Sequence, residues 1–309
     1  MNILSLFPKH LYDTKMSPGR TLYLNHVGKS HTVIWSGIGW DEWDVRLSGE
    51  WNVRSLEDKH GVKFDAIVVY KGEGLGLENV TIPKFVIFNE AHDDVAVMKE
   101  VHDASANVAV FHHESDYKRL GSCLPMTCRW SHAAPEVPLV PWGDRKWMTI
   151  SSGCTAEKIY PVRVMAAVAA EDAYGDRHYE LPHPGYRLAN RHAVIQQYSS
   201  YLKTLSQAKI SICCTSIHRY PLAKLIESAM CGCVVATDKP ICSRFEKYLW
   251  PHCIQIPDGA DRRSTKALLY SYDSDELKEM AAASRRAALN YFSYDHWSDC
   301  LISAIEDYR

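Results

Sequence analysis

Apolar residues come in short continuous runs, each followed by a polar loop and then by a segment with helical spacing. Residues 2–7, 32–35, 64–70, Lys84–Phe88, Val108–Phe111 and 126–130 have this character in the first half. Continuous apolar runs of this length, rather than alternating ones, predict strands buried on both faces of a parallel sheet. The second half repeats the pattern with strands expected at 147–150, His178–Leu181, 210–213, 233–236 and 253–256. Helices are expected at 21–27, 160–170, 198–205, from Pro221, from Ser274 and over Tyr294–Tyr308. The last is amphipathic, with Trp297, Leu301, Ile302 and Ile305 at helical spacing.

Between the two runs lies VPLVPWGDRKW, with two prolines and little periodicity, which reads as a linker. The alternation on either side predicts an α/β protein of two doubly wound, Rossmann-like domains facing across a cleft. The expected division is 1–143, 144–290 and a C-terminal helix, 291–309, returning toward the first domain.

The most informative stretch is 198–238. An apolar-spaced helix (Tyr198, Tyr201, Leu202, Leu205) leads into a strand, a polar loop at 215–220, and a helix introduced by Pro221. Proline suits a first helical turn because its missing N–H would be unpaired there anyway. A loop and helix N-terminus at the end of a parallel sheet present free N–H groups and partial positive charge to an anion such as phosphate. Lys224 and Glu227 stand three apart, on one helix face. They read either as a surface ion pair or as a diphosphate-neutralising ammonium beside a carboxylate that accepts from two ribose hydroxyls.

The run PLAKLIESAMCGCVVATD resembles the nucleotide-sugar site of GT-B glycosyltransferases, closest to group-1-like and CgeB-like families. The retaining group-1 type carries a glutamate eight residues before the ribose-binding one, where this chain has Arg219. The resemblance implies a metal-independent glycosyltransferase, hexosyl or pentosyl. It would move sugar from a UDP- or GDP-sugar co-substrate to an acceptor hydroxyl, with no bound cofactor. Its second domain would hold the donor and its first the acceptor. Carried over residue by residue, Lys224 and Glu227 bind the nucleotide, with Ser216 and Tyr220 in the loop before them. Gly153 lets the backbone approach the diphosphate, and Tyr160, Pro161 and Arg163 match a Y-P-x-R element. Arg163 then orients a phosphate or the domain interface, or is a buried structural arginine. Tyr186 or its backbone packs on the nucleobase, or closes a simple turn. Gly19 and Arg20, within a turn at 17–20, fall in the first loop on the acceptor side, or form a plain turn. His132-Ala133-Ala134 resembles a family element before the linker.

Transfer to a hydroxyl calls for a base when the reaction inverts. The ends of two first-domain strands deliver Asn89-Glu90-Ala91-His92-Asp93-Asp94 and His112-His113-Glu114-Ser115-Asp116. His92, Asp93, Asp94 and His112 are the candidates, with helix capping the competing role for Asp93, Asp94 and Ser115. Adjacent strand residues point to opposite faces, so these clusters make poor chelates. Asp273-Ser274-Asp275 resembles a DxD metal motif but opens a helix, where capping is the expected role. Glycines 72, 74 and 76 lack the GxGxxG spacing and predict a loop. Trp40, Trp43 and Trp51, in the polar segment 38–60, suit a small core or a carbohydrate-stacking edge.

Composition narrows the partners. A net charge of −2 offers no general attraction to nucleic acid or anionic membrane. No apolar run reaches membrane-spanning length, and MNILSLFPKHLYD has no basic leader, so a cytoplasmic location is expected. The ten cysteines show no recurring CxxC, which predicts free thiols and no metal site. Two rival functions remain open: an epimerase or hydrolase of the same fold, and a non-catalytic nucleotide-sugar-binding module, an alternative that Arg219 in place of the usual glutamate keeps open.

Overall fold

The structure, a computed structural model, describes residues 1–15, 19–89, 91–124 and 126–308. Ser17, Pro18 and Glu90 lie outside the described residues, and so does the side chain of Arg20.

The chain divides into two compact units. The first comprises Met1–Ser131, Tyr186–Ile195 and Trp297–Arg309. Its sheet contains β1 (Asn2–Leu6), β2 (Thr32–Ser36), β3 (Ala66–Val69), β4 (Lys84–Phe88), β5 (Val108–Phe111) and β6 (Thr127–Arg129). They lie in the order β2-β1-β3-β4-β5-β6, with every pairing parallel. The central strands β3, β4 and β5 are buried along their whole length, as runs that are apolar except for Lys84 at the start of β4 require. Helices α1 (Lys9–Thr14), α2 (Gly19–Val27), α3 (Gly49–His60), α4 (Asp94–Asp103) and α5 (Glu114–Leu120) connect them.

Helix α3 occupies the tryptophan-bearing segment, which has no evident apolar period. Ser48 caps it by accepting from the Trp51 N–H, and Gly61 ends it in the left-handed conformation at φ 65°. Its inward face is Asn52, Val53, Leu56 and Glu57. Of the tryptophans, Trp43 enters the core while Trp51 stays 64% exposed. Trp40 donates to the Phe7 carbonyl (2.7 Å).

The second unit comprises His132–Gly185 and Gln196–His296. Its sheet holds β7 (Trp147–Ser152), β8 (His178–Leu181), β9 (Ala208–Ile212), β10 (Val234–Thr237) and β11 (Ile254–Gln255). The order is β11-β10-β9-β7-β8, again all parallel. Helices α6 (Pro161–Tyr174), α7 (Arg191–Leu205), α8 (Ala223–Met230), α9 (Ser243–Tyr248), α10 (Arg262–Tyr270) and α11 (Ser274–Phe292) flank it, and α12 (Tyr294–Tyr308) closes the chain. Two doubly wound α/β units therefore stand as the sequence predicts.

The units part after Ser131, ahead of the expected break at 143. The reason is local: residues 132–146 are bonded into the second unit. Ala134 N–H donates to the Phe292 carbonyl, and Arg285 donates to that of Val137. Buried Arg145 reaches the carbonyls of Ala208 (2.8 Å) and Gly232 (2.6 Å). In the first unit Trp297 of α12 packs against Tyr23 and Trp130.

Candidate donor-nucleotide site

In a sheet of order 2-1-3-4-5, ligands bind beyond the carboxyl ends of the strands where the winding reverses. In the second unit that point lies between β7 and β9. The residues following those strands carry most of the expected site.

Gly153 follows β7 at φ +109°, a conformation that L side chains rarely adopt. A Cβ there would lie 2.8 Å from an Arg163 guanidinium nitrogen and 3.1 Å from Lys224 Cε. Two loops and the start of α8 therefore converge on this one backbone position. Arg163 is 3% exposed and ties the loops together. It donates to the carbonyls of Cys154 (3.1 Å) and Cys214 (2.9 Å), and its guanidinium stacks 3.9 Å from the Tyr160 ring centre. Its Nε and the nearby Ser152 hydroxyl are buried with no partner among the described residues.

The loop after β9 is fixed from below by Asp238, at the end of β10. Asp238 accepts from the Thr215 N–H (2.7 Å) and hydroxyl (2.5 Å). Buried Ser216 accepts from the His218 N–H, and His218 stacks on buried Tyr220. Arg219 sits at φ 54°, bonded to the Lys239 carbonyl and paired with Asp258 (2.9 Å). In the position of the group-1 glutamate, this chain thus has a cation already committed to a carboxylate.

Helix α8 begins at Ala223, two residues after Pro221. Its N-cap, Leu222, supplies no side-chain bond; the Leu225 N–H turns back onto the Leu222 carbonyl (3.0 Å), and the N–H groups of Ala223 and Lys224 remain to face a ligand. Lys224 and Glu227 occupy one face, but they do not pair with each other. The Lys224 ammonium lies 4.4 Å from the centre of the Tyr201 ring. Burial pushes its pKa below the usual lysine value; Glu227 partly offsets this, and Arg163 adds to the fall. Buried Glu227 accepts from two phenols, Tyr198 on Oε1 and Tyr201 on Oε2, each at 3.0 Å.

His183 also belongs here. Its pKa is lowered by burial, then by the Lys224 and Arg163 charges. Gly185 N–H donates to its Nδ1 (3.0 Å), which leaves the proton of the neutral ring on Nε2. Tyr186 is placed elsewhere. It is 67% exposed and grouped with the first unit, where the Leu188 N–H bonds the Thr14 carbonyl and Arg187 bridges to Lys15.

In the first unit the predicted residues are spread out. Gly19 opens α2 against the Tyr23 hydroxyl. Asp93 caps α4 by accepting from the Ala96 N–H (3.0 Å), and Asp94 pairs with Arg119. His112 is buried and bonded through Nδ1 to the Trp130 carbonyl (3.1 Å), while His92 is exposed. Asp273, from the DxD-like triplet, caps α11 through a full capping box. Among the described residues no group of His, Cys, Asp or Glu is disposed to hold a metal ion, and no helix is long and apolar enough to cross a membrane. All ten cysteines are free thiols.

Sequence reading missed four contributors. Tyr198 and Tyr201 look like core positions at helical spacing, and their hydroxyls are the only clue to another role. His183 lies in a loop without periodicity. The Ser152 hydroxyl sits at the end of an apolar strand.

Residues 156–303, just under half the chain, match the family model described as glycosyl transferase-like. Solved structures resemble the chain over nearly its whole length. Sucrose-phosphate synthase from Thermosynechococcus elongatus is 12% identical at TM-score 0.65, covering 99% of each chain. A glycosyltransferase from Rickettsia africae is also 12% identical at TM-score 0.65, covering 99% of this chain and 98% of its own. The Anabaena HepE protein, solved with UDP and glucose, has the same identity and TM-score, with 99% and 100% covered. No curated protein matches the chain. At these identities the structural likeness establishes the fold, which is that of the GT-B glycosyltransferases.

Proposed function

We propose that this chain, a GT-B glycosyltransferase by fold and by the family model matching its C-terminal region, uses a nucleoside-diphosphate sugar to glycosylate an acceptor hydroxyl without a metal ion. The observation that carries this reading is the convergence at the β7/β9 switch point. Gly153 backbone, Lys224, Arg163 and the open N-terminus of α8 meet there beside two unpartnered buried polar atoms. Such a place suits a diphosphate. Glu227 takes the ribose hydroxyls, and Ser216 and Tyr220 flank the nucleotide. The HepE complexes, which contain UDP, favour a UDP-sugar over a GDP-sugar.

In the transfer, the bond from the anomeric carbon to the diphosphate oxygen breaks and the acceptor oxygen bonds to that carbon. The departing oxygen gains negative charge, which Lys224 and the α8 N–H groups stabilise. These groups favour the leaving group most when its charge is fully developed, which is how they accelerate the step. With two cations and a helix terminus in place, the diphosphate needs no divalent ion. UDP and GDP are the first probes. Saturation at about a hundred times Kd raises stability by about 2.7 kcal/mol, a readable shift in Tm. Transfer from the nucleotide sugar that binds is expected to persist in excess EDTA. Activity lost in EDTA and restored by manganese or magnesium would overturn metal independence. Donor hydrolysis or isomerisation that no acceptor diverts would favour a hydrolase or epimerase.

For the acceptor proton we place the base in the segment after β4. Asp93 caps α4 and Asp94 pairs with Arg119; His92 is exposed and is tested first because imidazole is the side chain most often used as a general base. His92→Ala is expected to lower kcat about 10²-fold with donor affinity unchanged. Asp93→Ala should act mainly on stability, costing about 0.5–2 kcal/mol through loss of the α4 cap. Normal turnover in His92→Ala would move the base elsewhere, or mark a retaining enzyme in which the leaving phosphate takes the proton.

A further inference from the structure

We propose that Tyr198 and Tyr201 form a hydroxyl clamp on Glu227 that sets the site's preference for ribose, and that Tyr201 also seats Lys224, so that one ring couples ribose recognition to diphosphate binding. This rests on the donor-site reading above and assigns positioning roles that the reading does not require.

The geometry comes from two helices with matched spacing. Tyr198 and Tyr201 are three apart on α7, and Lys224 and Glu227 are three apart on α8, so each pair shares a face. The helices are held together near this point by Leu202, Leu205 and Cys231, which share one apolar cluster. The Cys231 thiol also donates to the Leu202 carbonyl. Each phenol donates to a different oxygen of Glu227. Burial and the neighbouring Glu227 charge push the Tyr201 pKa well above the ordinary phenol value, so its hydroxyl stays protonated and stays a donor.

A glutamate side chain has several rotatable bonds, and an unheld one loses entropy when it docks a ligand. Here both oxygens are fixed before any ligand arrives. Each carboxylate oxygen has two acceptor positions. One on each is taken by a tyrosine, which leaves one on each. Two acceptors fixed side by side suit a vicinal diol, and ribose carries one at its 2′ and 3′ positions. A 2′-deoxyribose would leave one of them desolvated and unpaired. Sites built to hydrogen-bond a hydroxyl discriminate strongly against analogues lacking it.

The second role of Tyr201 is independent of its hydroxyl. Its ring face lies under the Lys224 ammonium, a favourable cation–π arrangement for a partly desolvated cation. The Phe variant keeps that face and loses only the donor. The Leu variant loses both.

The test is calorimetric titration of the full chain with UDP, 2′-deoxy-UDP and UMP, repeated with the guanine series, on wild type and three variants. Wild type is expected to prefer the ribonucleotide over its 2′-deoxy form by about tenfold or more. Tyr198→Phe and Tyr201→Phe should bring that ratio close to one. Tyr201→Phe should keep the wild-type preference for diphosphate over monophosphate, whereas Tyr201→Leu should lose much of it as well. A merely structural role would lower all affinities together and leave both ratios alone. If both Phe variants keep the ribose ratio, or wild type shows no ribose preference, the clamp is overturned while the donor site stands. If wild type binds neither UDP nor GDP, the donor-site reading falls and the clamp falls with it. Melting curves accompany each variant, and should Tyr201→Leu fail to fold, the two Phe variants still decide the ribose role.

Discussion

Lys224→Met is expected to weaken nucleoside-diphosphate binding by about 10²-fold and to lower kcat by 10²–10³-fold, while the ligand-free protein melts at the same temperature or higher. Function and stability separate because burial opposes the charge of this lysine. Its pKa is lowered in the folded state, so the folded protein pays for protonation below that value. The penalty is relieved as pH rises from the lowered value toward that of an ordinary lysine. Methionine fills similar space with no charge to desolvate. What is lost is a charge-assisted bond to phosphate, about 1.5–3 kcal/mol in binding, and the stabilisation of the leaving oxygen in the transition state. At a nucleotide concentration a hundred times the wild-type Kd, the stabilisation of about 2.7 kcal/mol should fall to about 0.4. The pH profile has a matching sign. Wild-type diphosphate affinity should decline on the alkaline side before the pH at which a solvent-exposed lysine would titrate. Bound diphosphate, by favouring the protonated form, should move that decline upward. A Lys224→Met protein with unchanged UDP and GDP affinity would remove Lys224 from the donor site.

The strands were legible because burial on both faces leaves little choice of residue. β4 and β5 keep their predicted limits, and both are apolar along nearly their whole length. Helix α3 was not legible because two of its buried positions are polar. Asn52 bonds the Asp44 and Ser48 carbonyls, and Glu57 accepts from the Phe64 N–H. A helix that satisfies buried polar groups tertiarily breaks the apolar period that would announce it. The site shows the same limit. The spacing of Lys224 and Glu227 on one face follows from helical geometry. That their partners are two tyrosines of another helix depends on how α7 meets α8, a long-range contact that no local pattern encodes. Arg219 illustrates the converse. As a departure from the group-1 pattern it suggested a degenerate site, yet its charge is absorbed by Asp258 at the loop's edge. Asp93 was readable either as a base or as a cap, since the same residue types serve both, and in the structure its carboxylate accepts the Ala96 N–H.

Gly153→Ala should be the most damaging single methyl group in the proposed donor site, costing more than 10³-fold in kcat/KM together with a measurable loss of stability. Glycine to alanine commonly stabilises a protein by restricting the unfolded chain, about 0.4–1 kcal/mol, provided the backbone tolerates a side chain. Here the sign reverses. At φ +109° any L residue is strained, and the new Cβ would be 2.8 Å from the Arg163 guanidinium and 3.1 Å from Lys224 Cε. A flexible side chain would ordinarily yield to such a contact. Arg163 is not free to do so, because its nitrogens are held by the Cys154 and Cys214 carbonyls. Moving it leaves buried acceptors without donors, at about 1–3 kcal/mol each. If Lys224 moves instead, it leaves its place over the Tyr201 ring. The methyl group thus also stands where the backbone would approach the diphosphate, so it acts on the ligand even if both side chains adjust. Arg163→Lys separates these causes: it keeps the charge but cannot span two carbonyls, so it should lose stability at least as much as Gly153→Ala while retaining more nucleotide affinity. Melting temperature and nucleotide affinity measured on both variants decide the matter. Wild-type affinity in Gly153→Ala would show that the diphosphate does not lie against this backbone.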